Sequence, residues 1–189
     1  GIELDLRITA DKELIIHHDS KVSVEKSLLG DVNPYVESWD LATLEKLGFC
    51  SLKQLLQDSR VISQWRDKGK MVCLELKRPH PRSPEGGGFF GSQKVTTVLS
   101  EMISKAEEML DEFSIPNSNS VFYAFHNKMH KSVKMAESKR HWAELLPVVP
   151  RFGHRKLKRL MAYPQYFVTP FSRLINKHRS RGASMVPCA

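Results

Sequence analysis

Residues 1–9 read GIELDLRIT. Apolar and polar side chains alternate along this stretch without interruption, which is typical of a β-strand with two different faces. Glu3 and Asp5 lie on the same face, about 6.6 Å apart along the strand. Two carboxylates so placed repel each other unless a cation or a proton lies between them. The stretch therefore predicts either a strand with a solvated face or a strand that contributes two ligands to a metal site.

A second segment, MVCLELK at residues 71–77, alternates in the same way. Its polar face has Cys73, Glu75 and Lys77, so it adds a third carboxylate and an adjacent ammonium group. Three carboxylates suit a hard divalent cation such as Mg²⁺ or Ca²⁺ and do not suit zinc. Lys77 is either a contact for an anionic oxygen or an ordinary lysine at a strand end.

Two histidines end the apolar segment ELIIHHD at residues 13–19. Strand geometry leaves the direction of His18 open and turns His17 the other way. A lone histidine is usually a packed or a surface residue. His18 stands beside Asp19 at a predicted strand end, which makes it a candidate for acid–base work near neutral pH.

Apolar runs alternate with helical segments along the chain, which predicts an α/β fold with a parallel sheet covered by helices. The predicted strands are 2–8, 13–18, 71–76, 120–125, 143–149, 165–169 and 183–188. The predicted helices are 38–48, 51–69, 94–113, 127–138, 154–162 and 170–182. Seven strands favour a (β/α)8 TIM barrel that lacks one strand, with polar strand faces directed into the lumen. A doubly wound sheet is the rival, but its strands would be almost continuously apolar.

Composition bounds the function. The chain has 189 residues, of which 41% are hydrophobic and 26% are charged, as in ordinary globular domains. A net charge of +8 indicates anionic partners, although the basic segments 126–141 and 151–160 are better explained as solvated helix faces than as a nucleic-acid site. No apolar run is long enough to span a membrane. Three cysteines without metal-type spacing favour a reducing compartment, so we expect a cytoplasmic protein.

The segments described above resemble the glycerophosphodiester phosphodiesterase family, whose members are phosphatidylinositol-phospholipase-C-like phosphodiesterase barrels. GIELDLRITADKELIIHHD is similar to the acidic pair, Thr-x-Asp turn and His-Asp strand of that family. VCLELKRP resembles its Leu-Glu-Ile-Lys strand, and SWDLATLEKLGFCSLKQLLQD resembles the segment that includes its third barrel helix. LINKHRSRGASMVPCA is similar to the last helix and strand of the family.

The resemblance implies a metal-dependent phosphoric diester hydrolase that cleaves glycerophosphodiesters to glycerol phosphate and an alcohol, in lipid metabolism. It implies that Glu3, Asp5 and Glu75 bind a divalent cation, that His18 is one of two catalytic histidines, and that Lys77 contacts the substrate. It also implies one barrel domain over residues 1–189, in which residues 20–48 form an insertion that caps the barrel mouth. The partner is then a small-molecule phosphodiester, and the oligomeric state is left open.

Three departures from the family accompany this resemblance. The His-Arg strand that opens the family's barrel has no counterpart, Ala124-Phe125 replaces a Ser-Phe pair, and Pro187-Cys188 replaces an aromatic Trp-Thr. Since the chain opens inside a strand without a methionine, we expect a fragment truncated at both ends. Strands 2–8 and 183–188 would then border a gap, and residues 1–189 alone would be poorly stable and inactive. The alternative is an inactive barrel of the same fold that binds an anion or nucleic acid.

Overall fold

The computed structural model describes residues 1–23, 33–88, 92–126 and 128–144 of the chain. Within these residues the framework is a five-stranded sheet. Its strands are β1 (Ile2–Ile8), β2 (Leu14–Ile16), β3 (Val72–Leu76), β4 (Ser120–Ala124) and β5 (His141–Glu144). They lie in the order β2-β1-β3-β4-β5, and β1, β3, β4 and β5 run parallel to one another.

The prediction that residues 13–18 form a parallel strand of the barrel is wrong. β2 pairs antiparallel to β1, with Leu6 opposite Ile16 and Ile8 opposite Leu14. The reason is the length of the connection, because a parallel neighbour needs a crossover of a dozen or more residues. Here the chain reverses within a tight turn in which Thr9 and Glu13 exchange hydrogen bonds and Lys12 has a φ of 66°.

The strand at residues 2–8 is consequently not an open edge along its whole length. β2 covers its outer side from Leu6 to Ile8, and the backbone N–H of His17 donates to the carbonyl oxygen of Asp5. In the part of the chain that the structure describes, no strand pairs with this side of residues 2–4. The predicted strands 165–169 and 183–188 and the predicted helices 154–162 and 170–182 lie outside the described residues, as does all of 143–149 beyond residue 144.

The helices follow the predicted segments with shifted ends. They are α1 (Leu41–Lys46), α2 (Leu52–Gln57), α3 (Ser59–Ile62), α4 (Ser92–Glu112) and α5 (Met129–Ala136). The segment predicted as one helix over 51–69 is divided at Asp58, whose backbone is extended and whose side chain accepts a hydrogen bond from the N–H of Arg60. An aspartate in this conformation caps a new helix instead of continuing the old one. A π-helical stretch, Ser63–Asp67, then extends α3.

The apolar faces of the strands pack against α4. Leu6, Leu74 and Phe122, from three parallel strands, are fully buried in one cluster with α4 residues such as Leu99 and Met102. Because side chains alternate along a strand, this packing directs the opposite face of β1 and β3 away from the helix. The arrangement is the α/β fold of an incomplete barrel, in which the sheet of the described residues is not closed. No helix of the described residues has the length and apolarity needed to cross a membrane.

Candidate active site

The register of the parallel strands aligns the polar residues in rows across the sheet. Asp5 of β1 lies opposite Glu75 of β3, and Glu75 lies opposite Tyr123 of β4. Glu3 lies one row nearer the start of the strands, opposite Cys73. Adjacent strands are about 4.8 Å apart, so side chains of neighbouring residues in one row touch.

The three carboxylates that alternation placed on the polar strand faces come together. One oxygen each of Glu3, Asp5 and Glu75 lies within 4.8 Å of the other two. Their exposure is graded, since Glu3 is exposed, Asp5 is half-buried and Glu75 is 6% exposed. We call these residues the acidic cluster.

Lys77 directly follows β3 and lies against this acidic cluster. Its Nζ is 2.8 Å from Oδ1 of Asp5 and 2.5 Å from Oε1 of Glu75. Partial burial works to lower the pKa of Lys77, but the hydrogen bonds to Asp5 and Glu75 outweigh it, and the pKa is raised above its usual range. The lysine is therefore a fixed positive charge at neutral pH.

Tyr123 is a member of the site that the sequence analysis did not identify. Its hydroxyl lies 2.6 Å from Oε1 of Glu3 and 3.2 Å from Oε2 of Glu75. Burial, the hydrogen bond to Glu3 and the negative charge of Glu75 raise the pKa of this phenol far above its usual range, so it remains a donor. The alternation of Val121, Tyr123 and Phe125 indicates that they share one face of a strand. Only the strand register shows that Tyr123 lies beside Glu75.

The donor set of the acidic cluster fits a divalent cation. Three carboxylates and one ammonium group leave two negative charges in excess. Like charges this close repel strongly when partly buried, and one cation of charge two would neutralise the excess. Among the described residues, the three carboxylates supply oxygen ligands, which Mg²⁺ and Ca²⁺ prefer.

The predicted catalytic histidine lies on the segment after β2. The His18 ring is exposed, and its Nδ1 is 2.9 Å from Oδ1 of Asp19, which lowers the pKa of that carboxyl. Within the described residues Asp19 is the hydrogen-bond partner of the ring, and no contact joins the ring to the acidic cluster. His17 differs, because its ring packs edge-on against Phe49 and makes a hydrogen bond with the carbonyl oxygen of Lys21.

Arg7 lies between the acidic cluster and the segment that contains His18. It continues the polar face of β1 beyond Asp5 and is 6% exposed. Its Nε and Nη2 donate to the carbonyl oxygen of His18 at 3.2 and 2.9 Å. Its Nη1 lies 3.2 Å from Oε1 of Glu37, which is 1% exposed. Burial raises the pKa of Glu37 and lowers that of Arg7, while the attraction between the two opposes both shifts.

Two further histidines follow the parallel strands. His80, after β3, stacks on Tyr35 with ring centroids 3.8 Å apart, and burial together with neighbouring cations lowers its pKa. Burial, Arg78 and Lys128 lower the pKa of His126, after β4, to about 4. The His126 ring is therefore neutral at neutral pH.

The sheet and its acidic cluster define the class: an α/β protein with a parallel sheet and a candidate metal centre on the polar face of that sheet. The sequence profile of the glycerophosphoryl diester phosphodiesterase family matches residues 1–184, and the chain belongs to that family. No curated protein matches the sequence.

The chain is similar to several solved structures at low sequence identity. A phosphodiesterase from Oleispira antarctica, in complex with the product sn-glycerol-3-phosphate, is 20% identical with a TM-score of 0.50, over 96% of this chain and 69% of its own. A glycerophosphodiester phosphodiesterase from Parabacteroides distasonis is 14% identical with a TM-score of 0.52, over 97% and 76%. That of Thermotoga maritima is 16% identical with a TM-score of 0.48, over 95% of this chain. The chain spans 57% of the length of this last enzyme.

Proposed function

We propose that the protein is a divalent-cation-dependent phosphodiesterase that hydrolyses glycerophosphodiesters to glycerol phosphate and an alcohol. The observation that carries the proposal is the convergence of Glu3, Asp5 and Glu75 in a chain of this family. Glycerophosphodiesters are deacylated phospholipids, so the reaction belongs to lipid metabolism. The product bound to the Oleispira antarctica phosphodiesterase is of the same chemical class.

In this proposal Glu3, Asp5 and Glu75 hold Mg²⁺ or Ca²⁺. A bound cation supplies neutralisation of the charge that builds on the phosphate oxygens during attack. The burial of Glu75 and the partial burial of Asp5 support this role, since electrostatic attraction is stronger where water is excluded.

Lys77 contacts a phosphate oxygen in this proposal. An ammonium group has three N–H donors; one of them is directed to Glu75, and Oδ1 of Asp5 lies 2.8 Å from the same nitrogen as an ion pair. A further donor is available to an anionic oxygen of the substrate.

His18 serves as an acid–base group in this proposal. Near neutral pH it either protonates the leaving alkoxide or takes the proton of the attacking hydroxyl. If that hydroxyl is on the substrate's own glycerol, a cyclic phosphate forms first and water then opens it. The link of His18 to Asp19 orients the ring, as carboxylates orient histidines in other acid–base sites. Exposure of the ring leaves it accessible to a substrate that enters from solvent.

We further propose that residues 1–189 belong to one barrel domain and that residues 20–48 cap its mouth. Two contacts support the capping role. Glu37 pairs with Arg7 near the end of β1, and Tyr35 stacks on His80 beyond the end of β3. Both contacts lie at the carboxyl ends of parallel strands, where barrels of this kind place their chemistry. The free thiols of Cys50 and Cys73 are compatible with a cytoplasmic location.

The experiment is a hydrolysis assay of the full-length natural chain on glycerophosphocholine, glycerophosphoethanolamine and glycerophosphoglycerol. We expect release of glycerol phosphate with Mg²⁺ or Ca²⁺, its loss on chelation, and its recovery when the cation is restored. Hydrolysis that persists after chelation would contradict the cation dependence. No hydrolysis of any substrate, together with salt-dependent binding of single-stranded RNA or DNA, would favour the non-catalytic barrel.

A further inference from the structure

The acidic cluster is braced from two directions. Lys77 holds Asp5 and Glu75 through its ammonium group. Tyr123 holds Glu3 and Glu75 through its hydroxyl. Glu75, the most buried carboxylate of the three, is common to both braces.

The phenol contributes most to the position of Glu3. A hydroxyl has one proton, so it donates fully to one acceptor at a time. The 2.6 Å separation from Glu3 is a short, charge-assisted bond, while the 3.2 Å separation from Glu75 is longer. Among the described residues, Tyr123 provides the side-chain hydrogen bond of the Glu3 carboxylate, which is otherwise exposed.

The strand order explains how a residue of β4 reaches a residue of β1. β3 lies between them, and Tyr123 stands in the row of Glu75, one row beyond Glu3. Only a long side chain covers that diagonal distance. The next residue in the row, on β5, is Ala143, whose small side chain leaves the ring free to lean towards β3 and β1.

We propose that Tyr123 is a positioning residue of the cation site, which orders Glu3 beside Asp5 and Glu75 so that the three carboxylates bind one divalent cation together. The inference rests on the cation site of the proposed function. Without the phenol, Glu3 is free to rotate into solvent, and each binding event must order it again. Outer-sphere hydrogen-bond partners of metal ligands change metal affinity by about 10- to 100-fold when they are removed.

The test is calorimetric titration of the full-length protein with MgCl₂ and with CaCl₂, in the absence of substrate. Tyr123→Phe removes one oxygen atom and keeps the ring, and we expect it to weaken cation binding by about 10- to 100-fold. Tyr35→Phe is the matched control, because this tyrosine stacks on His80 and has no described contact with the acidic cluster. It should bind the cation as the natural protein does.

A double-mutant cycle separates positioning from general weakening of the fold. If the phenol acts through Glu3, Tyr123→Phe should have little further effect on cation affinity in a Glu3→Ala background, which has no side-chain acceptor for the hydroxyl. An equal further loss in that background would overturn the route through Glu3. Unchanged or tighter binding by Tyr123→Phe would overturn the inference and leave the cation site intact. No cation binding by the natural protein would overturn the cation site and the inference with it.

Discussion

Two ionic groups on the same face of β1 differ in how their charges are balanced. The acidic cluster has three carboxylates against one ammonium group and is open to solvent at Glu3. Two residues beyond Asp5, Arg7 meets Glu37 in a one-to-one pair in which both side chains are almost fully buried. The remaining donors of Arg7 are directed to the backbone carbonyl oxygens of His18 and Arg78.

The difference separates a site with excess negative charge from a site in which the charges are balanced. The buried one-to-one pair has no excess charge, and the further hydrogen bonds of Arg7 join segments of the chain. A cluster with two uncompensated negative charges is destabilised until a cation or protons neutralise it. The acidic cluster is therefore the region where binding is expected, and the Arg7–Glu37 pair is the region where structure is maintained.

The largest effect should come from removing a charge from the acidic cluster. Glu75→Gln keeps the volume of the side chain and removes one candidate ligand. Cation assistance supplies several kcal/mol of transition-state stabilisation, so hydrolysis by the full-length protein should fall by about a thousandfold.

The thermal unfolding temperature of Glu75→Gln without cation should be retained, because relief of the repulsion with Glu3 and Asp5 offsets the loss of the ion pair with Lys77. Glu108→Gln, on the exposed surface of α4, is the control and should keep full activity. Normal activity and cation affinity in Glu75→Gln would show that the acidic cluster, like the Arg7–Glu37 pair, does not bind a cation needed for activity.

The next effect concerns the Arg7–Glu37 pair. Glu37→Gln leaves a buried guanidinium without its counter-charge, which should lower the free energy of unfolding by about 3 kcal/mol. Urea denaturation followed by circular dichroism measures this loss. Asp67→Asn removes one partner of the exposed Arg66–Asp67 pair and should change little. If Glu37→Gln left stability unchanged but weakened cation binding, Glu37 would contribute to the cation site and not to the stability of the fold.

The two histidines after β2 should differ in their effect on the turnover number. His18→Ala should lower the turnover number by about a hundredfold or more if His18 is the acid–base group. His17→Ala should have a much smaller effect on turnover, because its ring packs on Phe49. Steady-state kinetics on one glycerophosphodiester compares the two variants. Equal losses would assign the pair a structural role.

The smallest effect concerns the pH dependence of stability that His126 causes, since its ring lies near the cations Arg78 and Lys128. The pKa of His126 is about 4 in the folded protein, against a usual value of 6.5. The unfolded chain therefore takes up a proton between these values that the folded chain does not. The contribution of His126 to the free energy of unfolding should be constant above pH 6.5 and fall as the pH is lowered towards 4, by about 1–2 kcal/mol after allowance for solvent screening.

His126→Gln should reduce this pH dependence of unfolding, which is measured by denaturant titration at several pH values. His141→Gln, at an exposed position on β5, is the control and should retain it. An identical pH dependence in the natural protein and in His126→Gln would show that the ring does not titrate as described.

Local sequence patterns were sufficient to predict which face of a strand each residue occupies. Alternation is a property of a single strand, so Glu3 and Asp5 on one strand and Glu75 and Lys77 on another could be assigned to polar faces from the sequence. The pairing of β1 with β3 could not be assigned in the same way, because residues 13–18 were expected to form a further parallel strand between them. The observed register of β1 against β3 brings the candidate ligands together.

Long-range contacts decided the rest. Tyr123 joined the site because β4 pairs with β3 in one register, and a shift by one residue would have turned its side chain to the other face. Glu37 is matched to Arg7 across 30 residues, a pairing that no local pattern encodes. The reversal after Thr9 and the helix break at Asp58 arose from side-chain hydrogen bonds to the backbone, which compete with regular periodicity. Periodicity reports which face a residue occupies, whereas its neighbours on that face depend on how separate segments are packed together.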